Sequence, residues 1–173
     1  MIFRKKKIQL YLFIIFLLFF GFKSYGEETQ NSIEIKNPIF TTKSIDGSPY
    51  EIKAEKGLQR ENFLDLFVIE AKLKTNNDIW IYLNADKGTF NQSSGEILLE
   101  SNIEIYTEAD EKIFAELANV NTNGKIITLK KNVKYQDSNI FISADESIIK
   151  DDFSSIAYYG NVKSKVLKNE SSE

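Results

Sequence analysis

The chain has 173 residues, with 25 acidic and 22 basic side chains and a net charge of −3. It contains neither histidine nor cysteine, which excludes a histidine base, a thiol nucleophile, a disulfide framework and almost every zinc or transition-metal site. We therefore expect no cofactor and no metal site, with calcium at the carboxylates of residues 108–111 or 151–152 as the minor alternative to solvated turns. An acidic chain also lacks the basic stripe that a nucleic-acid partner requires, so we expect no nucleic-acid partner.

The N-terminus carries the pattern of a membrane-targeting segment. Residues 4–7 are all basic and precede an uncharged, mainly apolar run over residues 8–22. Because basic clusters stay on the cytoplasmic side, we expect the rest of the chain to be exported. The run rises only about 23 Å as a helix, against a hydrocarbon core of about 30 Å. Hydropathy alone therefore slightly favours a signal peptide cut after Gly26 over a retained anchor.

The rest of the chain divides into three parts by composition. Residues 27–37 predict a polar tether, residues 38–168 have the length of one domain, and residues 169–173 predict a frayed, charged tail. The first 26 residues contain five cations and no acid, so the exported part has a net charge of −8.

Short alternating segments predict β-strands along the whole domain. In chain order they cover residues 50–59, 79–89, 96–100, 102–107, 125–130, 139–150, 154–159 and 162–167. Helical spacing also fits residues 63–71 and 112–118, although the β-branched and aromatic content of the first favours a strand.

A strand unit recurs in these segments. Ala85-Asp86 and Asn102-Ile103 return 59 residues later as Ala144-Asp145 and Asn161-Val162. A third copy, with Ala118-Asn119 and Asn132-Val133, lies halfway between them, and a looser fourth copy opens at residues 52–57. A period near 30 residues with two strands per unit predicts a stack of β-hairpin rungs.

Period-two alternation places one set of apolar residues on a single face of the predicted sheet. Fourteen of them are candidates to line a groove for an apolar, elongated ligand: Ile52, Ala54, Ile81, Leu83, Ala85, Ile97, Leu99, Ile103, Leu129, Val133, Ile142, Ala144, Ile156 and Tyr158. The alternative is that the small alanines in this set fit a tight core between two packed sheets.

Two recurring carboxylates are the candidates for catalysis. Asp86 and Asp145 could form a glycosidase pair, which needs carboxyl groups about 5 to 9.5 Å apart. The competing explanation is that a strand-end Asp before a turn accepts backbone N–H bonds, and that the recurrence follows from the repeat. We favour the second explanation and predict no catalytic residue and no enzymatic activity.

Several motifs together resemble one known family. They are the N-terminal membrane segment, the stretches at residues 37–40 and 46–54, and the repeated Ala-Asp and Gly-x-Ile-x-Leu units. Over residues 38–166 the chain resembles the LptC family of the lipopolysaccharide export system, within the wider jelly-roll superfamily that includes the periplasmic bridge protein LptA. It departs from that pattern at Ser101 and Lys131, where family members often have glycine, but it keeps Gly160.

This resemblance implies an all-β fold, an open antiparallel β-jelly roll with one N-terminal transmembrane helix. It shifts our expectation from a signal peptide to a retained anchor, with a single pass through the inner membrane and the β domain in the periplasm. The implied function is to receive lipopolysaccharide from the inner-membrane ABC transporter, to hold its lipid A acyl chains in the groove, and to relay them to the bridge protein LptA. The edge at residues 154–167 would then pass the cargo on, and the end at residues 38–44 would face the transporter.

Two other hypotheses stay open at this point. One is a soluble periplasmic bridge protein of the same fold. The other, from a different class, is a β-solenoid carbohydrate-active enzyme or a structural surface protein, whose interior would be closed and filled by side chains.

Overall fold

The computed structural model describes residues 32–43, 49–75, 78–121, 126–150 and 153–167. The predicted membrane segment over residues 1–26 lies outside these ranges. No helix within them is long and apolar enough to cross a membrane.

Every regular element in the described ranges is a β-strand. The strands are β1 Ile33–Lys36, β2 Ile39–Lys43, β3 Pro49–Arg60, β4 Phe63–Lys74, β5 Trp80–Asn91, β6 Glu96–Thr107, β7 Lys112–Asn121, β8 Ile126–Gln136, β9 Ile140–Lys150, β10 Ser155–Tyr159 and β11 Lys163–Val166. The helical alternative for residues 112–118 is therefore wrong, and β1 lies inside the segment that we expected to be a tether.

The strands form one antiparallel sheet in which β3 to β9 follow each other in chain order. Each of the two edges is a strand interrupted once. β1 pairs with the second half of β3 and β2 with its first half, whereas β10 pairs with the second half of β9 and β11 with its first half. The structure thus confirms the all-β, open antiparallel sheet.

The long strands bend along a common line across the sheet, which we call the fold line. On the even-numbered strands it is marked by pairs of residues with positive φ, Ser101-Asn102 in β6 and Lys131-Asn132 in β8. The strand register shifts beside each pair. Such bulges bend a sheet, so the segments predicted at residues 96–100 and 102–107 are the two arms of one bent strand.

The fold line divides the sheet into two half-sheets. Half-sheet A comprises β2, β11, the first arms of β3, β5, β7 and β9, and the second arms of β4, β6 and β8. Half-sheet B comprises β1, β10 and the other arms. The rings of Tyr135 in half-sheet A and Tyr158 in half-sheet B lie 6.4 Å apart although their strands are not neighbours, so the inner faces of the half-sheets turn towards each other.

Two cross-strand rows flank the fold line on the inner face, and in both of them small and large side chains alternate. Row A in half-sheet A is Ala54, Ile69, Ala85, Ile103, Ala115, Val133 and Ala144. Row B in half-sheet B is Gly57, Leu66, Gly88, Leu99, Ala118, Leu129 and Ser147. The small residues always lie on odd-numbered strands and the large ones on even-numbered strands.

Large side chains occupy the space left by the small ones. A Cβ atom added to Gly88 would lie 2.7 Å from Ile69 Cδ1 and 3.0 Å from Leu99 Cδ2. Near the middle of the sheet Ala118 and Leu129 are both 0% exposed. Side chains therefore fill the interior along the fold line.

The rows also correct the third copy of the repeat. Ala118 lies in row B, the row of Gly88, whereas the residue that shares row A with Ala85 is Ala115. The equivalent of Ala85-Asp86 in β7 is therefore Ala115-Glu116, and the proposed Ala118-Asn119 is wrong. Both dipeptides pair an alanine with a polar residue, so the sequence alone could not separate them.

Candidate functional site: an apolar trough between the half-sheets

Away from the fold line, the inner faces of the two half-sheets form the walls of a trough. In half-sheet B a row of apolar residues crosses six strands: Phe90, Ile97, Val120, Ile127, Ile149 and Ile156. In half-sheet A a facing row comprises Ile52, Ala71, Leu83, Ile105, Ile113, Tyr135 and Ile142. Most of these side chains are only partly buried, so the walls keep apolar surface available.

The trough contains a cavity of about 290 Å³ at the end formed by β9 and β10. Ile105, Ile113 and Ile142 line it from half-sheet A, and Ile156 and Tyr158 line it from half-sheet B. This volume lies just below the range of about 300 to 1,000 Å³ for small-molecule sites. The lining is mainly apolar, as a site for a hydrocarbon chain requires.

The rim of this cavity is polar and acidic. Tyr135 donates a hydrogen bond to Asp137 Oδ2 at 3.0 Å, and Glu111 Oε1 lies 3.4 Å from the same hydroxyl. Burial, the bond to Asp137 and the nearby carboxylates raise the pKa of Tyr135. Burial and the charge of Glu111 raise the pKa of Tyr158 to about 12. Both phenols therefore stay protonated at neutral pH, and the charge at this rim comes from carboxylates.

Each edge of the sheet carries an exposed aliphatic side chain. Ile33 lies opposite Gln59 at the β1 edge and is 65% exposed, and Val166 lies opposite Ile140 at the β11 edge and is 72% exposed. Near the edges the apolar surface is interrupted, because Gln59 lies next to Ile33 and Ser164 lies opposite Ile142.

All fourteen predicted lining residues lie on the inner face, but at two depths. The partly exposed residues, which a ligand can contact, are Ile52, Leu83, Ile97, Ile142, Ile156 and Tyr158. The buried residues are Ala54, Ile81, Ala85, Leu99, Ile103, Leu129, Val133 and Ala144. All of these buried residues except Ile81 belong to row A or row B, where other side chains cover them and a ligand in the trough cannot contact them. Lipid binding by either group stays a prediction.

Sequence patterning missed several residues of the walls. Phe90, Val120, Ile127 and Phe153 pack against the core from the trough, but the alternation counted from Ala85 places Phe90 on the outer face. The bulge between Asn84 and Lys87 shifts the register by one residue, which turns Gly88 and Phe90 inwards. The sequence feature that could have indicated this bulge is Gly88, because an isolated glycine inside a strand pattern often marks one.

The two recurring aspartates lie at the fold line in the middle of their strands, so their assignment to strand ends is wrong. Asn102 Nδ2 donates to Asp86 Oδ2 at 2.7 Å, and Asn161 Nδ2 donates to Asp145 Oδ2 at 2.8 Å. Their strands β5 and β9 are separated by three others, which places them about 19 Å apart along the sheet at about 4.8 Å per strand. This separation exceeds that of a glycosidase pair, so Asp86 and Asp145 do not form one.

No model of a known protein family matches the chain, and no curated protein matches it. Function is therefore inferred from the fold, the trough and the sequence motifs alone.

Proposed function

We propose that the protein binds the acyl chains of a lipid in the trough and passes the lipid along it. The observation that carries this proposal is the pair of facing apolar rows, most of whose side chains remain partly exposed. Each methylene group that leaves water for an apolar surface gains about 0.8 kcal/mol. A continuous apolar wall therefore removes most of the barrier to moving long acyl chains through an aqueous compartment.

The sequence motifs support a more specific assignment within this function. Under it, the protein is an inner-membrane component of lipopolysaccharide export, held by its N-terminal segment with the sheet in the periplasm. It receives lipopolysaccharide from the ABC transporter and relays it to the bridge protein LptA. No bond is made or broken in this relay, so the protein needs no catalytic group, and the energy comes from ATP hydrolysis by the transporter.

Each of the two edges of the sheet could bind a partner protein by pairing with one of its strands. An edge strand presents unpaired backbone N–H and C=O groups that can pair with a strand of another protein. The β1–β2 edge is the proposed transporter side, and the β10–β11 edge is the proposed side for the bridge protein. Strand addition at each edge would join the trough to its neighbours.

A structural role without any ligand is the second candidate. The observation in its favour is the filled interior at the fold line, where Ile103 and Val133 are each 1% exposed and Leu129 is 0% exposed. Under this alternative the half-exposed rows are ordinary sheet surface and bind nothing.

Site-specific photo-crosslinking separates the two candidates. Leu83 and Ile142 face the trough, and their chain neighbours Asn84 and Ser143 face outwards on the same strands, which makes two matched pairs. With a crosslinker at each position in turn, we expect lipopolysaccharide to be captured at Leu83 and Ile142 and not at Asn84 and Ser143. Capture at none of the four positions would support the structural role, and equal capture at all four would show that there is no selective trough.

A further inference from the structure

Three side-chain pairs fasten the fold line on its outer side. Each consists of an asparagine with positive φ, on a strand or in the gap between β10 and β11, and a carboxylate on the preceding long strand. The pairs are Asn102 with Asp86, Asn132 with Glu116, and Asn161 with Asp145. Asparagine tolerates the left-handed conformation better than other side chains, and its amide then bridges the bend. We call these three pairs the clasps.

The β3–β4 rung has the carboxylate of a clasp but not the asparagine. Glu55 follows Ala54 as Asp86 follows Ala85, and Val68 lies opposite Glu55 in β4. Val68 has a φ of +55° and is 50% exposed. A β-branched residue is an outlier in this region, and its side chain cannot donate a hydrogen bond to Glu55. Within the described residues, this rung therefore lacks the side-chain hydrogen bond that bridges the bend in the clasps.

Row B is also packed less tightly at this rung than at the next two rungs. The large residue of row B is 7% exposed at Leu66, 5% at Leu99 and 0% at Leu129. A Cβ atom added to Gly57 would meet Leu66 Cδ2, its row B neighbour, at an ordinary contact distance of 3.4 Å, whereas one added to Gly88 would lie only 3.0 Å from its row B neighbour, Leu99 Cδ2. The missing clasp and the looser packing thus coincide at one end of the sheet.

We propose that the two half-sheets part at the β3–β4 rung, which makes this end the place where cargo enters the trough, while the clasps hold the angle of the other rungs. Parting at this end would expose buried row residues such as Ala54 and Leu66 to an incoming chain. The opening is a property of the protein alone. Only its use for loading a lipid rests on the proposed function.

Distances between spin labels test the opening directly. The chain has no cysteine, so an introduced pair is the only labelling site. One pair, Glu61→Cys with Glu70→Cys, spans the two half-sheets at the β3–β4 rung. The second, Asn119→Cys with Lys134→Cys, spans them at the β7–β8 rung. In the full chain we expect a broad distance distribution with a longer component for the first pair and a narrow one for the second.

Adding a clasp should narrow the distance distribution at its rung, and removing one should broaden it. Val68→Asn supplies the missing amide and should narrow the distribution at the β3–β4 rung. The matched control, Glu55→Ala combined with Val68→Asn, relieves the same backbone strain without the carboxylate on β3 and should leave the distribution broad. Asn132→Ala removes a clasp and should broaden the distribution at the β7–β8 rung. A melting curve for each variant shows that it is folded.

Two outcomes would overturn the proposal. One is an equally narrow distribution at both rungs of the unmodified fold. The other is equal narrowing by Val68→Asn with and without Glu55, which would assign the effect to backbone strain. Uptake of purified lipopolysaccharide, measured on the same samples, should slow in Val68→Asn. Failure of every variant to take up lipopolysaccharide would refute the lipid function and leave the distance result standing.

Discussion

Replacing Ser147 by alanine should stabilise the protein. Ser147 occupies a small position of row B, its side chain is 0% exposed, and its hydroxyl has no hydrogen-bond partner in the described part of the chain. The equivalent residues on the other odd-numbered strands are Gly57, Gly88 and Ala118, which carry no polar atom. A buried hydroxyl without a partner costs about 1 to 3 kcal/mol. Alanine keeps the Cβ atom and removes only the hydroxyl, so it avoids this cost.

The expected gain in the free energy of unfolding is about 1 to 2 kcal/mol, which corresponds to roughly 4 °C in Tm per kcal/mol for a domain of this size. Urea unfolding at pH 7 and a thermal melt would both report it. Ser143→Ala is the matched control, because Ser143 lies on the same strand but faces outwards, and we expect its effect to stay within about 0.5 kcal/mol. A loss of stability in Ser147→Ala would refute the reasoning, since it would mean that the hydroxyl forms a hydrogen bond in solution.

Four further predictions concern the fold line, the edge, the cavity and the N-terminus. Gly160→Ala should destabilise by more than about 1 kcal/mol in urea unfolding, because the residue has a φ of +67° and its Cβ would lie 2.5 Å from Asp145 Oδ2; an unchanged midpoint would contradict the tight approach. Val166→Pro should weaken capture of the bridge protein while leaving Tm nearly unchanged, and full binding would move docking to another edge. The pKa of Tyr158 is raised to about 12, so the protonated phenol contributes stability that is complete below pH 10 and is lost as the pH rises through 12. Tyr158→Phe should therefore make the fall in unfolding free energy at alkaline pH less steep. An equally steep fall in both proteins would contradict the assignment. The N-terminal segment should be retained, and a mature mass that begins after Gly26 would favour the soluble bridge protein.

The strands and their inner face could be predicted because both follow from local alternation. Ile81, Leu83 and Ala85 alternate with polar neighbours, and the structure places all three on the inner face. The strands β6 and β8 keep this alternation through the bend, so Leu129 and Val133 stay on one face. For these residues the two-residue alternation of a strand was enough to predict which face each side chain occupies.

The bulges limited what the sequence could reveal about the rest. On the odd-numbered strands the bend shifts the alternation by one residue. For this reason Phe90 was not predicted to face the trough, and Ala118 instead of Ala115 was assigned to the repeat. The depth of each residue was hidden for a different reason. Ile103 and Ile156 look alike in the sequence, but one is sealed under the other half-sheet and one is partly exposed. That difference depends on packing between strands that are remote in the chain.

The alternation of small and large residues across the rows has a consequence for the length of the protein. Gly88 with Leu99 and Ala118 with Leu129 are complete small–large units, each contributed by one two-stranded hairpin. Duplicating or deleting a whole hairpin leaves every small residue between two large ones, so the groove can grow or shrink by about 9.6 Å per hairpin without redesign of its interior. Removing a single strand would instead bring two large side chains face to face. Related proteins whose grooves differ in length are therefore expected to differ by an even number of strands.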